Sequence, residues 1–180
     1  MKGIVFTVFI DFAEQRFGQR VVHDAITGCD LASGGAYTAV GTYDHRELVS
    51  ILGRLAASAA VPAGTLLNDF GTHLFCTLAA RYSTLVSRYT DSFSLLGSIE
   101  TVIHPEVLKL YPDAELPRFS HERPAANRLE LTYHSSRGLG PLVDGLLRGC
   151  FQHFGETIQV ERRDLSQGHE TQVLFILQKL

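Results

Sequence analysis

The chain carries eight histidines, at positions 23, 45, 73, 104, 121, 134, 153 and 169, and no pair of them has the His-Glu-x-x-His spacing by which a helix presents two imidazoles to zinc. His104 differs from the rest in its surroundings. It lies among Ile99, Val102, Ile103, Val107 and Leu108, so its imidazole is expected inside an apolar wall, where burial favours the neutral ring. A neutral imidazole held this way is a ready axial ligand for iron, and it is equally a core side chain that hydrogen-bonds within the protein. Spacing alone leaves both readings open. The second constellation is Tyr133-His134-Ser135-Ser136-Arg137. In an extended strand Tyr133, Ser135 and Arg137 share one face. Two hydroxyls beside the planar donor fork of a guanidinium suit a bound carboxylate, although the same row would also serve as a solvated sheet face. No Gly-x-Ser-x-Gly elbow, P-loop or dinucleotide fingerprint occurs, so the common catalytic folds leave no signature.

The elements that position these groups follow from periodicity and breakers. Pro105 lacks a backbone donor and is harmless only in the first turn of a helix. A short helix beginning near Thr101 and ending at Tyr111-Pro112 satisfies that requirement, because the residue before a proline is pushed out of helical geometry. A ligand on so short a helix would be a movable element. Upstream, helices are expected over Gly3–Phe17 and, after a break at Gly18, through Val21, Val22, Ala25 and Ile26. The Gly-rich segment 33–42 reads as a loop. Asp44 and Glu47 have the spacing of a capping box before Leu48, Ile51, Leu52 and Leu55. Pro62 opens a helix carrying Leu66, Leu67, Phe70, Leu74, Phe75 and Leu78, and another helical stretch is expected from Asp91 through Ile99.

Beyond Pro117 the period changes. Leu129, Leu131 and Tyr133 alternate with polar residues, as do Ile158 and Val160, and Val173–Leu177 reads as a buried strand. Between them the span 139–154 has helical spacing and is stopped by Gly155. Helices followed by strand, strand, helix, strand, strand indicate an α+β fold in one continuous domain with two lobes.

Composition narrows the function classes. The 180 residues are 45% apolar and 19% charged, which excludes disorder and fibrous repeats. Sixteen basic against nineteen acidic residues leave a formal charge of −3 with no basic run, so no nucleic-acid partner is expected. The apolar stretches 3–10 and 55–67 fall short of the ~20 residues a membrane span needs. The N-terminus does not read as a signal peptide, and a cytoplasmic location without membrane association is expected. Cys29, Cys76 and Cys150 are odd in number and widely spaced, which favours reduced, buried thiols over a disulfide framework or a zinc site.

Taken together, three features resemble the H-NOX family, the heme nitric-oxide/oxygen-binding domains that also form the heme-bearing portion of soluble guanylate cyclase. They are the Tyr-x-Ser-x-Arg motif at Tyr133, Ser135 and Arg137, the segment from Ile103-His104-Pro105 to Leu116-Pro117-Arg118-Phe119, and the opening Met1-Lys2-Gly3-Ile4-Val5-Phe6. The resemblance spans essentially the whole chain. It implies a stand-alone bacterial sensor rather than an enzyme, with heme b as cofactor between a distal helical lobe of about residues 1–65 and a proximal lobe of about 66–180 holding a four-stranded antiparallel sheet. It implies His104 as the axial iron ligand, Tyr133, Ser135 and Arg137 on the propionates, and Pro117 pressing on the porphyrin, with Leu108, Leu116 and Phe119 beside it.

The resemblance also bears on the gas. Family members that hold oxygen carry a distal tyrosine nine residues after the motif tyrosine, and here that position is Leu142. The other positions aligned with the distal pocket, Val5, Phe9, Leu74 and Leu146, are also apolar, although Tyr37, Thr38, Tyr43 and His73 could reach in. Bound dioxygen gains negative charge and wants a donor, whereas nitric oxide binds ferrous heme without one. The expectation is a nitric oxide sensor, able also to take CO. It would signal through loss of the iron–His104 bond to a separate chain, either a histidine kinase or a cyclic-di-GMP enzyme. Three alternatives are an oxygen-binding heme protein, a redox or thiol sensor using one of the cysteines, and a heme-free α+β enzyme using His134 or His153 with a carboxylate.

Overall fold

A computed structural model describes residues 1–167 and 170–180; His169 lies outside the described residues. Helix α1 (Gly3–Phe17) is apolar around most of its circumference and buries Ile4, Phe6, Val8, Phe9, Phe12 and Ala13, so it is packed from several sides rather than along one stripe. Helix α2 (Gln19–Thr27) follows directly after Gly18, whose φ of +85° suits glycine and turns the chain. Helix α3 (His45–Ser58) starts at Asp44, whose carboxylate accepts from the Arg46 amide at 2.9 Å. Glu47 does not complete the expected capping box. Its buried carboxylate instead accepts from the Ser33 amide and hydroxyl and from the Tyr37 hydroxyl, pinning the glycine-rich loop to α3.

Helix α4 (Ala63–Arg81) runs from the first cluster of buried side chains into the second. Its Leu66, Leu67, Phe70 and Leu74 pack with α1 and α3, while Ala79 packs with the C-terminal elements. It lies tightly against α8 (Gly140–Phe154) because two glycines face each other there. A methyl group on Gly71 would overlap the Leu142 carbonyl, and one on Gly145 the Asn68 carbonyl. Gly155, with φ of +64°, ends α8 in the left-handed cap its sequence announces.

The expected helical stretch from Asp91 through Ile99 is divided. A short helix α5 (Ser83–Val86), not foreseen from the sequence, precedes α6 (Ser92–Leu96), which is capped by Asp91 and stops at Gly97. The chain then winds as a π-helical segment over Ile99–Ile103 and tightens into α7 (His104–Leu110), with Pro105 in its first turn and Tyr111 as its end. Such π turns gather at functional positions.

Strands β1 (Arg118–Ala125), β2 (Arg128–Ser135), β3 (Ile158–Asp164) and β4 (Thr171–Lys179) form an antiparallel sheet in the order β1-β2-β4-β3. Leu131 pairs with Phe175 and Tyr133 with Val173, and these side chains meet Val143, Leu147, Cys150 and Phe151 of α8 in the second core. Alternation in β3 has a different meaning from that in β2. Val160 is 42% exposed, so β3 is a solvated edge rather than a half-buried strand. The α+β architecture is therefore as the sequence implies, with a helical N-terminal half and a C-terminal sheet.

Candidate functional site

His104 opens α7, and its side chain is 14% exposed. Its apolar neighbours enclose it less than expected. No residue of the π segment or of α7 is fully buried, and Leu108 is 41% exposed. The imidazole is held by two contacts. Its Nδ1 lies 3.1 Å from Glu100 Oε1, and its ring centroid is 5.9 Å from that of Phe119 on β1. Burial lowers the His104 pKa and the Glu100 carboxylate pulls it back up; the net direction is down, so the ring is neutral near pH 7. A carboxylate can only accept, so Nδ1 carries the proton and Nε2 keeps its lone pair.

From His104 the aromatic contacts continue inward. Phe119 packs on Tyr133, centroids 5.5 Å apart, and Tyr133 is buried in the second core. Burial raises the Tyr133 pKa, against opposing pulls from the Ser135 hydroxyl, the Arg137 charge and the Leu139 backbone, and the three motif residues meet at the end of β2, where Ser135 is bonded to Arg137. They do so differently from the strand row expected. β2 ends at Ser135, and Arg137 lies in the turn beyond, where its amide donates to Ser135 Oγ at 3.1 Å. The guanidinium then donates to the Glu115 carbonyl and carboxylate at 3.0 and 2.8 Å, which brings the segment of Leu116 and Pro117, both half-buried, alongside the motif.

Two further ionisable groups lie within the field of the Arg137 charge. The Met1 ammonium donates to the Tyr43 carbonyl at 2.7 Å, and its pKa is lowered by burial and then by Arg137. His45, at the start of α3, is lowered in the same way by burial and then by Arg137. A turn carrying a guanidinium, with an ammonium and an imidazole beside it, is chemistry for a dianionic group.

The positions aligned with the distal pocket also come together. Phe9, Leu74 and Leu142 are buried in the first core, with Val5 and Leu146 packed against it. Phe70, fully buried, joins them edge-on to Phe9 at 5.1 Å and was not singled out from the sequence. The polar side chains that could have reached in have other partners. Tyr37 donates to Glu47 at 2.7 Å, and its pKa is pushed up to about 12, mainly by burial. Tyr43 accepts from the Thr38 amide at 2.9 Å and its hydroxyl meets the Thr38 hydroxyl at 3.4 Å, while His73 packs on Phe12.

Other chemistries find less support in the described residues. Cys150 is buried and its pKa is pushed up to about 12, so it does not supply a thiolate, but Cys29 is only half-buried and Cys76 is exposed, against the expectation of three buried thiols. His153 packs on the Phe75 and Phe154 rings, and among the described residues only His45 and His104 stand within ion-pair distance of a carboxylate. No group of three or more His, Cys, Asp or Glu side chains could hold a bare metal ion among them.

One neutral imidazole with a free nitrogen, a carboxylate-binding turn and apolar walls from two cores fit heme, whose iron takes one axial histidine and whose propionates are anionic. The class defined by this fold and site is a heme-based gas-sensor domain. The chain belongs to the haem-NO-binding, or H-NOX, family, whose model matches residues 2–162. Its structure is similar to that of the Fe(II) unliganded H-NOX protein from K. algicida, with 39% identity and a TM-score of 0.93 over 100% of this chain and 97% of that one. It is also similar to an S. oneidensis H-NOX protein in the Fe(II)NO state, with 31% identity and a TM-score of 0.87 over 99% of both chains. A third is the Shewanella woodyi H-NOX in the Fe(II)CO state, with 38% identity and a TM-score of 0.85 over 100% of this chain and 95% of that one. No curated protein matches. Domains of this family bind heme and are sensors rather than enzymes. Among the described residues no single helix is long and apolar enough to cross a membrane.

Proposed function

We propose that this protein is a ferrous-heme nitric oxide sensor that passes its signal to a separate protein. The observation that carries the choice of gas is the distal set. Val5, Phe9, Leu74, Leu142 and Leu146 are all apolar, and the nearby tyrosine hydroxyls are engaged elsewhere. A site without a donor favours nitric oxide over oxygen, since only bound oxygen needs its developing charge stabilised. The S. oneidensis and Shewanella woodyi relatives in their NO and CO states accord with this reading.

In this proposal His104 Nε2 is the axial ligand. Tyr133, Ser135 and Arg137 hold the propionates, Arg137 exchanging its Glu115 partner for them, and Leu108, Leu116, Pro117 and Phe119 lie against the porphyrin face. The distal lobe is about residues 1–65 and the proximal lobe about 66–180. Heme b would supply one chemistry here, the reversible coordination of a diatomic gas. The chain supplies the response. Were His104 released, its imidazole would keep its contacts with Glu100 and Phe119, and α7 has no fully buried side chain to hold it in place. The change has a direction because the two states of α7 differ in whether His104 is coordinated, which gives the ligand the differential affinity a switch requires. The receiving partner is a histidine kinase or a cyclic-di-GMP enzyme on a separate chain.

The test is the absorption spectrum of the dithionite-reduced protein, recorded without oxygen, then with nitric oxide, and separately in air. A Soret band that shifts with nitric oxide and forms no stable species in air supports the proposal, and Leu142→Tyr should then acquire one. A stable wild-type species in air would reveal a distal donor and overturn the choice of gas. No Soret band after reconstitution would remove the heme role of His104.

A further inference from the structure

Glu100 lies on the π-helical segment, four residues before His104. A single carboxylate oxygen, Oε1, has two partners there: the His104 Nδ1 at 3.1 Å and the backbone amide of Phe119 at 2.7 Å. Phe119 in turn packs its ring against the His104 imidazole. One oxygen therefore ties the π segment, the first residue of α7 and the start of β1 together. The Glu100 carboxylate raises the His104 pKa against the lowering by burial. The Glu100 side chain is 42% exposed.

The electronic consequence follows from the placement of a carboxylate oxygen 3.1 Å from Nδ1. A ligating imidazole that donates its other N–H to an anion becomes a more basic ligand than one donating to a neutral carbonyl or to water, and its ring orientation and tautomer are fixed. We propose that Glu100 is a positioning residue that sets the strength of the bond between His104 and the cofactor iron, and so sets how readily that bond gives way. The proposal rests on the reading of His104 as the axial ligand. The same oxygen makes release of His104 felt in the sheet. If the imidazole leaves with α7, Oε1 must give up either His104 or Phe119, so the π segment either follows the helix or stays with β1.

The test is resonance Raman spectroscopy of the reduced, ligand-free holoprotein, reading the iron–histidine stretch in wild type, Glu100→Gln and Glu100→Ala. His104→Gly with added imidazole assigns the band. Glutamine keeps an oxygen for both donors and removes the charge, so its band should move to lower frequency, and alanine should move it further. The iron midpoint potential should rise in the same order, because the anion favours the ferric state, and the five-coordinate share of the nitric oxide complex should increase. A purely structural role for Glu100 would leave the Glu100→Gln band and potential at their wild-type values, and that result would overturn the proposal. Failure of the underlying reading looks different: wild type itself would show no iron–histidine band.

Discussion

Leu142 and His104 sit in regions built on opposite principles. Around Leu142 the side chains are apolar, large and buried: Phe9 and Phe70 have no exposed surface, and α4 and α8 approach so closely that neither Gly71 nor Gly145 has room for a methyl group. Around His104 no side chain of the π segment or α7 is fully buried, and order comes from one carboxylate, two aromatic contacts and the proline-bounded helix ends. The first region can hold a fixed shape, which is what discrimination between small gases needs. The second is poorly anchored, and such elements are the ones a protein can move at low cost. Selectivity and response are thus assigned to different packing regimes.

The substitution that breaks this contrast most completely is His104→Gly. It should abolish the histidine-ligated spectrum of the holoprotein; added imidazole should restore the spectrum and leave the partner without its response to nitric oxide. Full restoration of that response would show that coupling does not pass through α7. Next in size is a matched pair of truncations. Phe9→Ala should lower the unfolding free energy by about 3–5 kcal/mol through loss of a buried ring, whereas Leu108→Ala should change it by no more than about 0.5 kcal/mol. Denaturant titration of the apoprotein would measure both, and similar losses would erase the distinction between the regions.

Arg137→Ala tests the anchoring of the cofactor between them. A hydrogen bond to a charged group contributes about 1.5–3 kcal/mol, so transfer of heme to an apo-globin acceptor should accelerate roughly ten- to a hundredfold, with the Glu115 carboxylate left in solvent. The smallest effect concerns the strap from the N-terminus to the segment after α7. Asp113 accepts from Thr42 at 2.7 Å and from Lys2 at 3.0 Å, and these bonds hold its pKa down at about 2. Its folded pKa is depressed, so its contribution is complete above the unfolded value of ~3.9 and fades as pH falls toward 2. Asp113→Asn should flatten the stability profile in that window, as followed by thermal melts, leaving the variant less stable than wild type at neutral pH and converging on it near pH 2.

The parts of this molecule that could be read from sequence are those decided locally. Gly18, Pro62, Pro105 and Gly155 bound their helices through their own backbones, the prolines by fixing φ and the glycines by admitting positive φ, and the alternation Leu129-Leu131-Tyr133 marks β2 because the sheet buries one face. Glu47 escaped because its partners, Ser33 and Tyr37, come from a loop whose path is set by tertiary packing. Arg137 reaches the motif through a serine turn rather than strand alternation, a detail invisible to a period-two rule. For the site, spacing left His104 undecided between core residue and ligand, and the family resemblance named it a ligand. Glu100 was not singled out from the sequence, although its spacing of four from His104 is that of a helical neighbour pair. The Phe119 amide, the Met1 ammonium and His45 were not legible, because they are brought in from other elements.

The account's central claim is that gas binding leaves the apolar distal region fixed and loosens the element that carries His104. Hydrogen–deuterium exchange of the reduced holoprotein with and without nitric oxide reads both regions in one experiment. The account predicts faster exchange across residues 99–116 on nitric oxide addition, with peptides of α1 and α4 unchanged. Unchanged exchange across 99–116, or a response confined to α1 and α4, would contradict it.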